Sequence, residues 1–385
     1  MSRVVVWRSA MLSGSETFVR AQARALTRWQ ARFLGAVKVG SPLAEESDVI
    51  AFPLGFLRLR LTGRSPRLRR ILAGLGPDLV HAHFGGDGWL VSAAAAELGV
   101  PLVVTVHGHD VTRQPLARGL KGVRYRRNLR TVFRRAALIL AVSEPIRDAA
   151  IAHGADPAKV RVHHTGVPVP ADAPERPKEW DVVFVGRFVA KKGLDDLVAA
   201  LGTLSDLAPR VLLAGDGPLL PAIRSRAAEL GVDATFPGAL GHAAAERAMA
   251  SAKVFASPSV TAPDGDSEGL PTTILEAAAR GVPVVSTRHS GIPEAVVHGE
   301  TGLLGAEGDR VALAAHLRLL LTDAGLRDRL GRRAREHVRE RFDLAGQTRR
   351  LEDLYDAVIR GAAAAGGPRV PRPRTPAPPE RDPYR

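Results

Sequence analysis

The sequence predicts an α/β protein made of two doubly wound, Rossmann-like domains that face each other across a cleft. Short runs of β-branched and other apolar residues alternate with helical stretches, and nearly continuous apolar strands are typical of parallel sheets covered on both faces. This alternation stops at a proline-rich stretch, 168–177, and then starts again. At 385 residues the chain is also longer than one ordinary hydrophobic core. Ligands of such sheets bind beyond the carboxyl ends of the strands.

The first predicted domain covers residues 1–167. Its strands are predicted where short apolar runs are bounded by turn residues, and its first helix is predicted over residues 16–29. The expected strands are 4–7, 33–37, 79–83, 102–106, 138–141 and 160–162.

A proline-rich linker, 168–180, leads to the second predicted domain, 181–342. Residues 343–362 are predicted to form a C-terminal helix that packs back on the first domain. Residues 363–385 are rich in Pro and Arg and poor in large apolar side chains, so we expect them to be disordered. The expected strands of the second domain are 181–185, 211–214, 234–236, 254–256 and 284–286, with helices at 194–201, 219–230 and within 310–362.

Composition limits the function classes. No apolar stretch approaches the ~18 residues of a membrane-spanning helix, and the first apolar run is too short for a signal peptide. The chain has no cysteine, which excludes disulfides and thiolate chemistry and agrees with a reducing compartment. We therefore expect a cytoplasmic protein.

The positive charge is concentrated in the first half of the chain. Residues 1–180 carry 27 Lys and Arg against 14 Asp and Glu, whereas residues 181–385 carry 27 against 26. Two acid-free blocks, 58–70 and 113–135, account for this excess, and leucines are interleaved with arginines in the first block. The pattern favours either a solvated basic face or peripheral contact with an anionic membrane, such as the inner face of the cytoplasmic membrane. Nucleic acid is not expected, because few aromatic side chains accompany the charge.

Two glutamates separated by seven residues, Glu268 and Glu276, mark the strongest candidate site. Pro271 suits the first turn of a helix, so Glu268 is predicted in the loop before that helix and Glu276 inside it. The free N–H groups at the helix start, near Thr272, form a site for an anion. Since carboxylate oxygens accept hydrogen bonds from hydroxyl groups, the pair suits a polyol such as a sugar or a ribose. Alone, the spacing would also fit two solvated glutamates.

The segment Val-Gly-Arg-Phe-Val-Ala-Lys-Lys-Gly, 185–193, is predicted in the turn after the first strand of the second domain. Gly186 permits close backbone approach, and Arg187 and Lys192 place two cations at the level of the strand ends. These cations would neutralise a diphosphate whose negative charge grows as a bond to it breaks. The alternative is an ordinary basic surface turn.

The segment Val-Thr-Val-His-Gly-His-Asp, 104–110, ends a buried strand of the first domain. His107 is expected to project into the cleft opposite Arg187, with a purely structural histidine as the alternative. A metal site is not expected, because the further histidine of such sites is missing and the chain has no cysteine. His83, which ends another strand, and Asp110 are weaker candidates for ligand contacts.

The turn after the first strand, Ser-Gly-Ser-Glu-Thr-Phe at 13–18, would let a ligand approach a helix N-terminus. Gly14 is a candidate for that close approach, and Ser15 and Glu16 are candidates for further contacts. The triplet Asp-Gly-Asp at 264–266 is similar to metal–diphosphate motifs of some enzymes. It lies in a long loop rather than directly after a strand, so we interpret it as loop structure.

Together these motifs resemble glycosyltransferase family 4, the retaining transferases of GT-B fold. The resemblance runs from residue 4 to about residue 362, and its most specific segment is 262–296, which contains both glutamates, Gly-Val-Pro-Val-Val and Gly-Ile-Pro-Glu. The Ser-Glu-Thr-Phe and His-Gly-His-Asp motifs look like those of a bacterial subgroup that assembles exopolysaccharides such as colanic acid. The chain departs from the family's common paired glycines at Ser13-Gly14-Ser15.

By this resemblance, the chain would use a nucleotide sugar, a UDP- or GDP-sugar, as its donor and would need no metal or other cofactor. Arg187 and Lys192, next to Gly186, would hold the donor diphosphate. Glu276 would bind the ribose hydroxyls.

The resemblance also implies contacts with the transferred sugar. Glu268 and the backbone of Gly269 and Leu270 would hold that sugar, and His107 would approach it from the first domain. Glu294 matches a family acid that lies near the donor.

The implied reaction is front-face substitution, in which the leaving diphosphate itself takes the acceptor proton. The implied acceptor is an oligosaccharide or glycan that we expect to be lipid-linked. Double displacement through an enzyme nucleophile is the alternative mechanism. The alternative functions are a sugar-nucleotide 2-epimerase on the same fold and a non-catalytic basic anion-binding protein.

Overall fold

The computed structural model describes residues 1–14, 16–171 and 177–364. They form two α/β units, each built around one parallel sheet. The predicted linker residues 172–176 and tail residues 365–385 lie outside the described residues. No helix in the described ranges is both long enough and apolar enough to cross a bilayer.

The first unit carries a parallel sheet of seven strands, in which each consecutive pair in space is joined by hydrogen bonds. Its strands are β1 (Ser2–Met11), β2 (Trp29–Lys38), β3 (Val49–Ile50), β4 (Leu79–His83), β5 (Leu102–Val106), β6 (Leu138–Ala141) and β7 (Val160–Val162). Its helices are α1 (Thr17–Arg24), α2 (Leu57–Thr62), α3 (Pro66–Leu75), α4 (Gly85–Glu97), α5 (Gly119–Arg135) and α6 (Glu144–Ala152). The spatial order β3-β2-β1-β4-β5-β6-β7 places β1 and β4 side by side at the switch point of the sheet.

The second unit carries a parallel sheet of six strands in the order β10-β9-β8-β11-β12-β13. These strands are β8 (Trp180–Val185), β9 (Val211–Ala214), β10 (Ala234–Thr235), β11 (Ala252–Ser257), β12 (Val284–Thr287) and β13 (Gly302–Gly305). The helices are α7 (Leu194–Gly202), α8 (Leu220–Glu229), α9 (His242–Ala250), α10 (Thr272–Ala279), α11 (Ile292–Ala295), α12 (Arg310–Thr322) and α13 (Ala324–Arg341), followed by α14 (Leu344–Ala364).

The predicted α/β class with two parallel sheets is confirmed, and the central strands lie where the sequence places them. Strands β4, β5 and β6 have the predicted bounds, because all their residues are buried and the apolar run ends where the strand ends. Strands β3 and β13 were not predicted. Strand β3 has only two residues. Strand β13 begins and ends with glycine, which weakens the sequence pattern of a strand.

The predicted helix over residues 16–29 is too long. Helix α1 ends at Arg24, and Trp29 begins β2, where only 2% of its surface is exposed. The backbone N–H groups of Thr27, Arg28 and Trp29 donate to the carboxylate of Glu352 on α14, at 2.7, 2.6 and 3.2 Å. This partner is more than 300 residues away, so the local sequence carried no sign of the helix end.

Helix α14 crosses from the second unit and lies against the first sheet. Leu351 and Tyr355 are buried there in one cluster with Val4 and Leu79. The Tyr355 hydroxyl also lies 2.5 Å from Nδ1 of His81 on β4. Helix α14 therefore ties the two units together on the side of the first sheet.

Candidate functional site

The carboxyl ends of the strands of both sheets meet at one cleft. It holds a cavity of about 370 Å³ that both units line. The residues of the first unit are Ser13, Glu16, Phe18, Phe84, His107, His109, Val142 and Thr165, and those of the second are Gly186, Arg187, Lys191, Lys192, Glu268, Gly269, Leu270, Pro271, Thr272 and Thr273. The structure thus brings most of the predicted site residues to one place, which is where a parallel α/β sheet binds its ligands.

Two glycines allow the units to touch at the floor of this cleft. A Cβ atom at Gly269 would overlap the carbonyl oxygen of His107, so only glycine fits. Gly108 has φ +134° and packs against the backbone of residues 267–269. Across the same contact, Oγ of Ser143 donates to the carbonyl oxygen of Gly269 at 3.1 Å. The backbone around Glu268 is therefore held directly beside His107.

Glu268 is buried between two lysines. Its Oε1 lies 2.9 Å from Nζ of Lys192, and its Oε2 lies 3.9 Å from Nζ of Lys191. Burial raises the pKa of the Glu268 carboxyl, but the two ammonium groups outweigh burial and hold the pKa below its usual range. The glutamate is consequently an ionised hydrogen-bond acceptor at neutral pH and not an acid.

Lys191 is a site residue that the sequence analysis missed. Its Nζ donates to Oδ1 of Asp266 at 3.2 Å and to the carbonyl oxygen of Ser267 at 3.1 Å, and only 7% of the residue is exposed. It therefore anchors the loop that carries Glu268. Asp266 is part of that loop, as expected for the acidic triplet.

A second anchor, also missed, is His289. The Glu268 backbone N–H donates to Nε2 of His289 at 3.0 Å, which requires the proton of this imidazole to be on Nδ1. Nδ1 lies 2.6 Å from Oε1 of Glu307, and Oγ of Ser290 donates to the Glu268 carbonyl oxygen at 2.7 Å. Glu268 is thus fixed through its backbone as well as its carboxylate.

Arg187 stands out because its charge is unused. Within the described part of the chain its guanidinium makes no ion pair and no side-chain hydrogen bond, and the side chain is exposed in the cleft. Lys192, five residues along the same turn, lines the same cavity. A free guanidinium beside an ammonium group provides charge-assisted donors for an anion.

Helix α10 points its first turn into the cavity. Pro271 is the residue before the helix, with φ −66° and ψ 111°, and the helix begins at Thr272, one position later than the predicted start. Thr272 and Thr273 line the cavity, and no side chain caps the helix N-terminus. The free N–H groups of this turn add to the positive potential of Arg187.

Glu276 lies one helical turn beyond Thr272, on the same face of α10. It is half-buried, and its carboxylate has no hydrogen bond or ion pair among the residues that the structure describes. Burial raises the pKa of this carboxyl, the charges of His242 and Arg280 oppose the rise only in part, and Glu246 adds to it. The carboxylate oxygens are therefore free to accept hydrogen bonds from a ligand.

His107 faces the cavity as a neutral imidazole. Its ring lies between Phe18 and Phe84, with centroids 5.1 and 4.5 Å away, and its Nε2 lies 3.0 Å from Nδ1 of His83. Burial, reinforced by the charge of Arg8, lowers the pKa of His107 well below its ordinary value. At neutral pH this residue supplies one N–H donor and one acceptor and carries no positive charge.

Two family models match nearly the whole of this architecture. The model for Glycosyltransferase Family 4 matches residues 12–169, and the model for Glycosyl transferases group 1 matches residues 170–337. The putative colanic acid biosynthesis glycosyltransferase WcaL of Salmonella typhimurium is 33% identical over 296 residues, which are 73% of this chain and 71% of that protein. The chain belongs to glycosyltransferase family 4.

Solved structures give the fold of this glycosyltransferase. Sucrose-phosphate synthase from Thermosynechococcus elongatus matches it with a TM-score of 0.75 and 21% identity, over 94% of this chain and 100% of that one. HepE of Anabaena, in complex with UDP and glucose, matches with a TM-score of 0.73 and 21% identity, over 93% and 100%. The fold is GT-B, as the sequence predicted.

Several predicted contact residues of this family 4 enzyme are occupied elsewhere. Asp110 is fully buried, and its carboxylate accepts hydrogen bonds from the backbone N–H groups of His107 and Gly108 at 3.0 Å and of Gly85 at 2.8 Å. His83 is 3% exposed, and its Nδ1 lies 3.0 Å from Nε2 of His107. Both residues therefore help to position His107.

Glu294 lies at the contact between the two units. Its Oε1 accepts a hydrogen bond from the Glu144 backbone N–H at 2.8 Å, and its Oε2 lies 2.7 Å from Nε2 of His164. The sequence placed Glu294 near the donor, whereas these contacts assign its carboxylate to the first unit. Because both partners come from the other unit, the local sequence could not show this arrangement.

The loop after β1 is organised by a buried arginine. Arg8 binds both carboxylate oxygens of Glu16 at 2.9 and 2.6 Å, and it also pairs with Asp87. Glu16 therefore lines the cavity with both carboxylate oxygens bound by Arg8, a cation that it shares with Asp87. Gly14 is exposed with open space around it, and Ser15 lies outside the described residues.

No group of three or more His, Cys, Asp or Glu side chains that could hold a metal ion occurs in the described ranges. The two acids of the Asp-Gly-Asp triplet, which is similar to metal–diphosphate motifs, form ion pairs with cations instead. Asp264 pairs with Arg113 at 2.8 Å, and Asp266 pairs with Lys191.

Proposed function

We propose that this glycosyltransferase is a retaining enzyme that transfers a sugar from a UDP- or GDP-sugar to a glycan without a metal ion. The observation that carries the proposal is the charge arrangement of the cleft. Arg187, which has no ion pair among the described residues, converges with Lys192 and the N-terminus of α10 on one cavity beside the ionised Glu268. This set matches a ligand that joins a diphosphate to a polyol.

The donor fits this site in one orientation. Its diphosphate would lie against Arg187, Lys192 and the first N–H groups of α10, where negative charge is favoured. The ribose hydroxyls would donate to Glu276, whose carboxylate oxygens have no hydrogen-bond or ion-pair partner in the described ranges. The transferred sugar would then lie between Glu268 and His107, which the Gly269 contact holds close together.

The reaction follows from what these side chains can and cannot do. The bond between the anomeric carbon and the diphosphate oxygen breaks, and Arg187 and Lys192 stabilise the charge that develops on that oxygen. The acceptor oxygen bonds to the same carbon on the same face, and its proton passes to the leaving diphosphate oxygen. No side-chain base is required for this step.

Double displacement fits the cleft less well. It requires a free carboxylate on the face of the sugar opposite to the diphosphate. Among the described residues that line the cavity, the only carboxylates are Glu16, whose two oxygens Arg8 binds, and Glu268, which pairs with Lys192. The lack of a free carboxylate among these lining residues also argues against a 2-epimerase, which needs acid/base groups from both units.

The acceptor that we propose is a lipid-linked glycan in exopolysaccharide synthesis. The relative WcaL, a putative colanic acid biosynthesis glycosyltransferase, supports the pathway class, and the basic first unit supports an anionic partner. Arginines of α2, α3 and α5 are exposed on this unit and would meet the anionic inner face of the cytoplasmic membrane.

The stereochemistry of the reaction tests the proposal without knowledge of the acceptor. We expect slow transfer to water to release a sugar that initially has the anomeric configuration of the donor, as read by proton NMR before mutarotation. The rate should stay within about twofold in excess EDTA, since the cations of the chain replace a metal ion. Release of the opposite anomer, or loss of turnover in EDTA, would contradict the retaining and metal-independent mechanism respectively.

A further inference from the structure

Exposed apolar side chains are concentrated on one part of the first unit. Of the nine large apolar residues that are exposed in the described ranges, six fall between residues 54 and 123, while three lie elsewhere. The six are Leu54, Leu57, Leu61, Leu116, Leu120 and Val123. Leu57 and Leu61 are four residues apart on α2 and share one face of that helix. Such a concentration marks an interaction surface rather than scattered surface residues.

A groove runs between α2 and α5, and two of these six side chains line it. This α2–α5 groove has a volume of about 900 Å³, and Leu57 and Leu61 form part of its wall. Its charged lining residues are Arg60, Arg113, Lys121 and Arg124, and no carboxylate lines it. The groove therefore combines an apolar edge with charged lining residues that are all cations.

The α2–α5 groove opens toward the donor cleft. His109 lines both cavities, and its ring lies 5.0 Å from Phe84, which also lines the cleft. Arg113 at the same end pairs with Asp264 of the second unit at 2.8 Å, so both units border this passage. A molecule in the groove can thus present one end at the donor sugar while its other end lies among the exposed leucines.

We propose that the α2–α5 groove binds the phosphate-bearing, lipid end of the acceptor. The cations would hold a phosphate or diphosphate linker, and Leu57, Leu61 and their neighbours would contact the first carbons of the apolar chain. The proposal rests on the transferase function proposed above, because it places the acceptor relative to the donor. Charge complementarity and the apolar edge together select an occupant that is anionic at one point and apolar beyond it.

Binding of farnesyl diphosphate, a short apolar chain on a diphosphate, tests this assignment. Calorimetric titration would use the full chain carrying Arg187→Ala, so that the donor site does not capture the diphosphate. The pair Arg60→Glu with Lys121→Glu should weaken binding at least about tenfold by reversing the groove charge. The pair Leu57→Ser with Leu61→Ser should weaken it about tenfold by removing apolar contact, and should leave the weaker binding of inorganic diphosphate unchanged.

Matched controls separate the groove from general surface effects. Arg67→Glu with Arg70→Glu changes the same charge on the neighbouring α3, and Val311→Ser with Leu319→Ser removes exposed apolar residues of α12. Neither pair should alter farnesyl diphosphate binding. The proposal is overturned if the groove variants bind normally or if the control pairs weaken binding equally. It is also overturned if only vesicles of anionic phosphatidylglycerol bind, which would indicate a membrane-surface contact.

A failure of the groove proposal can be distinguished from a failure of the proposed function. Groove variants that retain Arg187 should keep normal stabilisation by nucleotide sugars, because no groove residue touches the donor cavity except His109. If no nucleotide sugar stabilised any variant, the transferase function would fail while the farnesyl diphosphate result would stand by itself.

Discussion

Replacing Arg187 with alanine is expected to lower kcat/KM for sugar transfer by about 10²- to 10³-fold. The guanidinium makes no hydrogen bond or ion pair with the residues that the structure describes, so its loss mainly removes a donor for the leaving diphosphate. Thermal unfolding should therefore match that of the parent protein. Initial rates of nucleoside diphosphate release, with and without acceptor, measure the effect.

Two further variants sharpen the Arg187 prediction. Arg187→Lys keeps the charge but loses the planar pair of donors, so its rate should fall between those of Arg187→Ala and the parent. Arg332→Ala removes an exposed arginine of α13 and should change nothing. Near-normal turnover in Arg187→Ala would mean that the donor diphosphate lies elsewhere.

Replacing Glu276 with alanine is expected to weaken donor binding by about 10- to 100-fold, which corresponds to the loss of hydrogen bonds to a charged group. The same change should leave stability unchanged or raise it. Burial lifts the pKa of this carboxyl, so the fold disfavours the ionised form and its charge destabilises the protein at neutral pH. A residue that binds the ligand at the expense of stability is typical of a functional site.

Donor KM and thermal unfolding of the same Glu276→Ala sample separate the two effects. Glu276→Gln should show a smaller loss of affinity, because an amide oxygen still accepts one hydroxyl. Glu336→Ala, on the exposed face of α13, serves as the control for a lost surface glutamate. Unaltered donor KM in Glu276→Ala would remove this residue from the ribose site.

The sequence was most informative where local pattern alone determines structure. The buried strands β4, β5 and β6 could be bounded because their side chains face apolar surroundings on both sides. The separation of Glu268 from Glu276 could also be predicted, because a proline directly before the run Thr-Thr-Ile-Leu-Glu favours a helix start at that point. In both cases neighbouring residues carry the whole signal.

The sequence was least informative where a partner lies far along the chain. Lys191 and Lys192 are adjacent, and only the fold shows that the first anchors the Asp266 loop while the second pairs with Glu268. The sequence made Asp110 a candidate for a ligand contact, yet its carboxylate accepts hydrogen bonds from three backbone N–H groups. His289 lies twenty-one residues from Glu268, and no local pattern joins them.

The central claim is that the cleft beside Arg187 binds a nucleotide sugar, and thermal unfolding with a panel of UDP- and GDP-sugars tests it most directly. At a concentration of 100 times Kd, the matching donor should stabilise the protein by about 2.7 kcal/mol, and Arg187→Ala should lose most of that shift. A panel in which no nucleotide sugar changes the unfolding temperature, or in which Arg187→Ala responds as the parent does, would contradict the account.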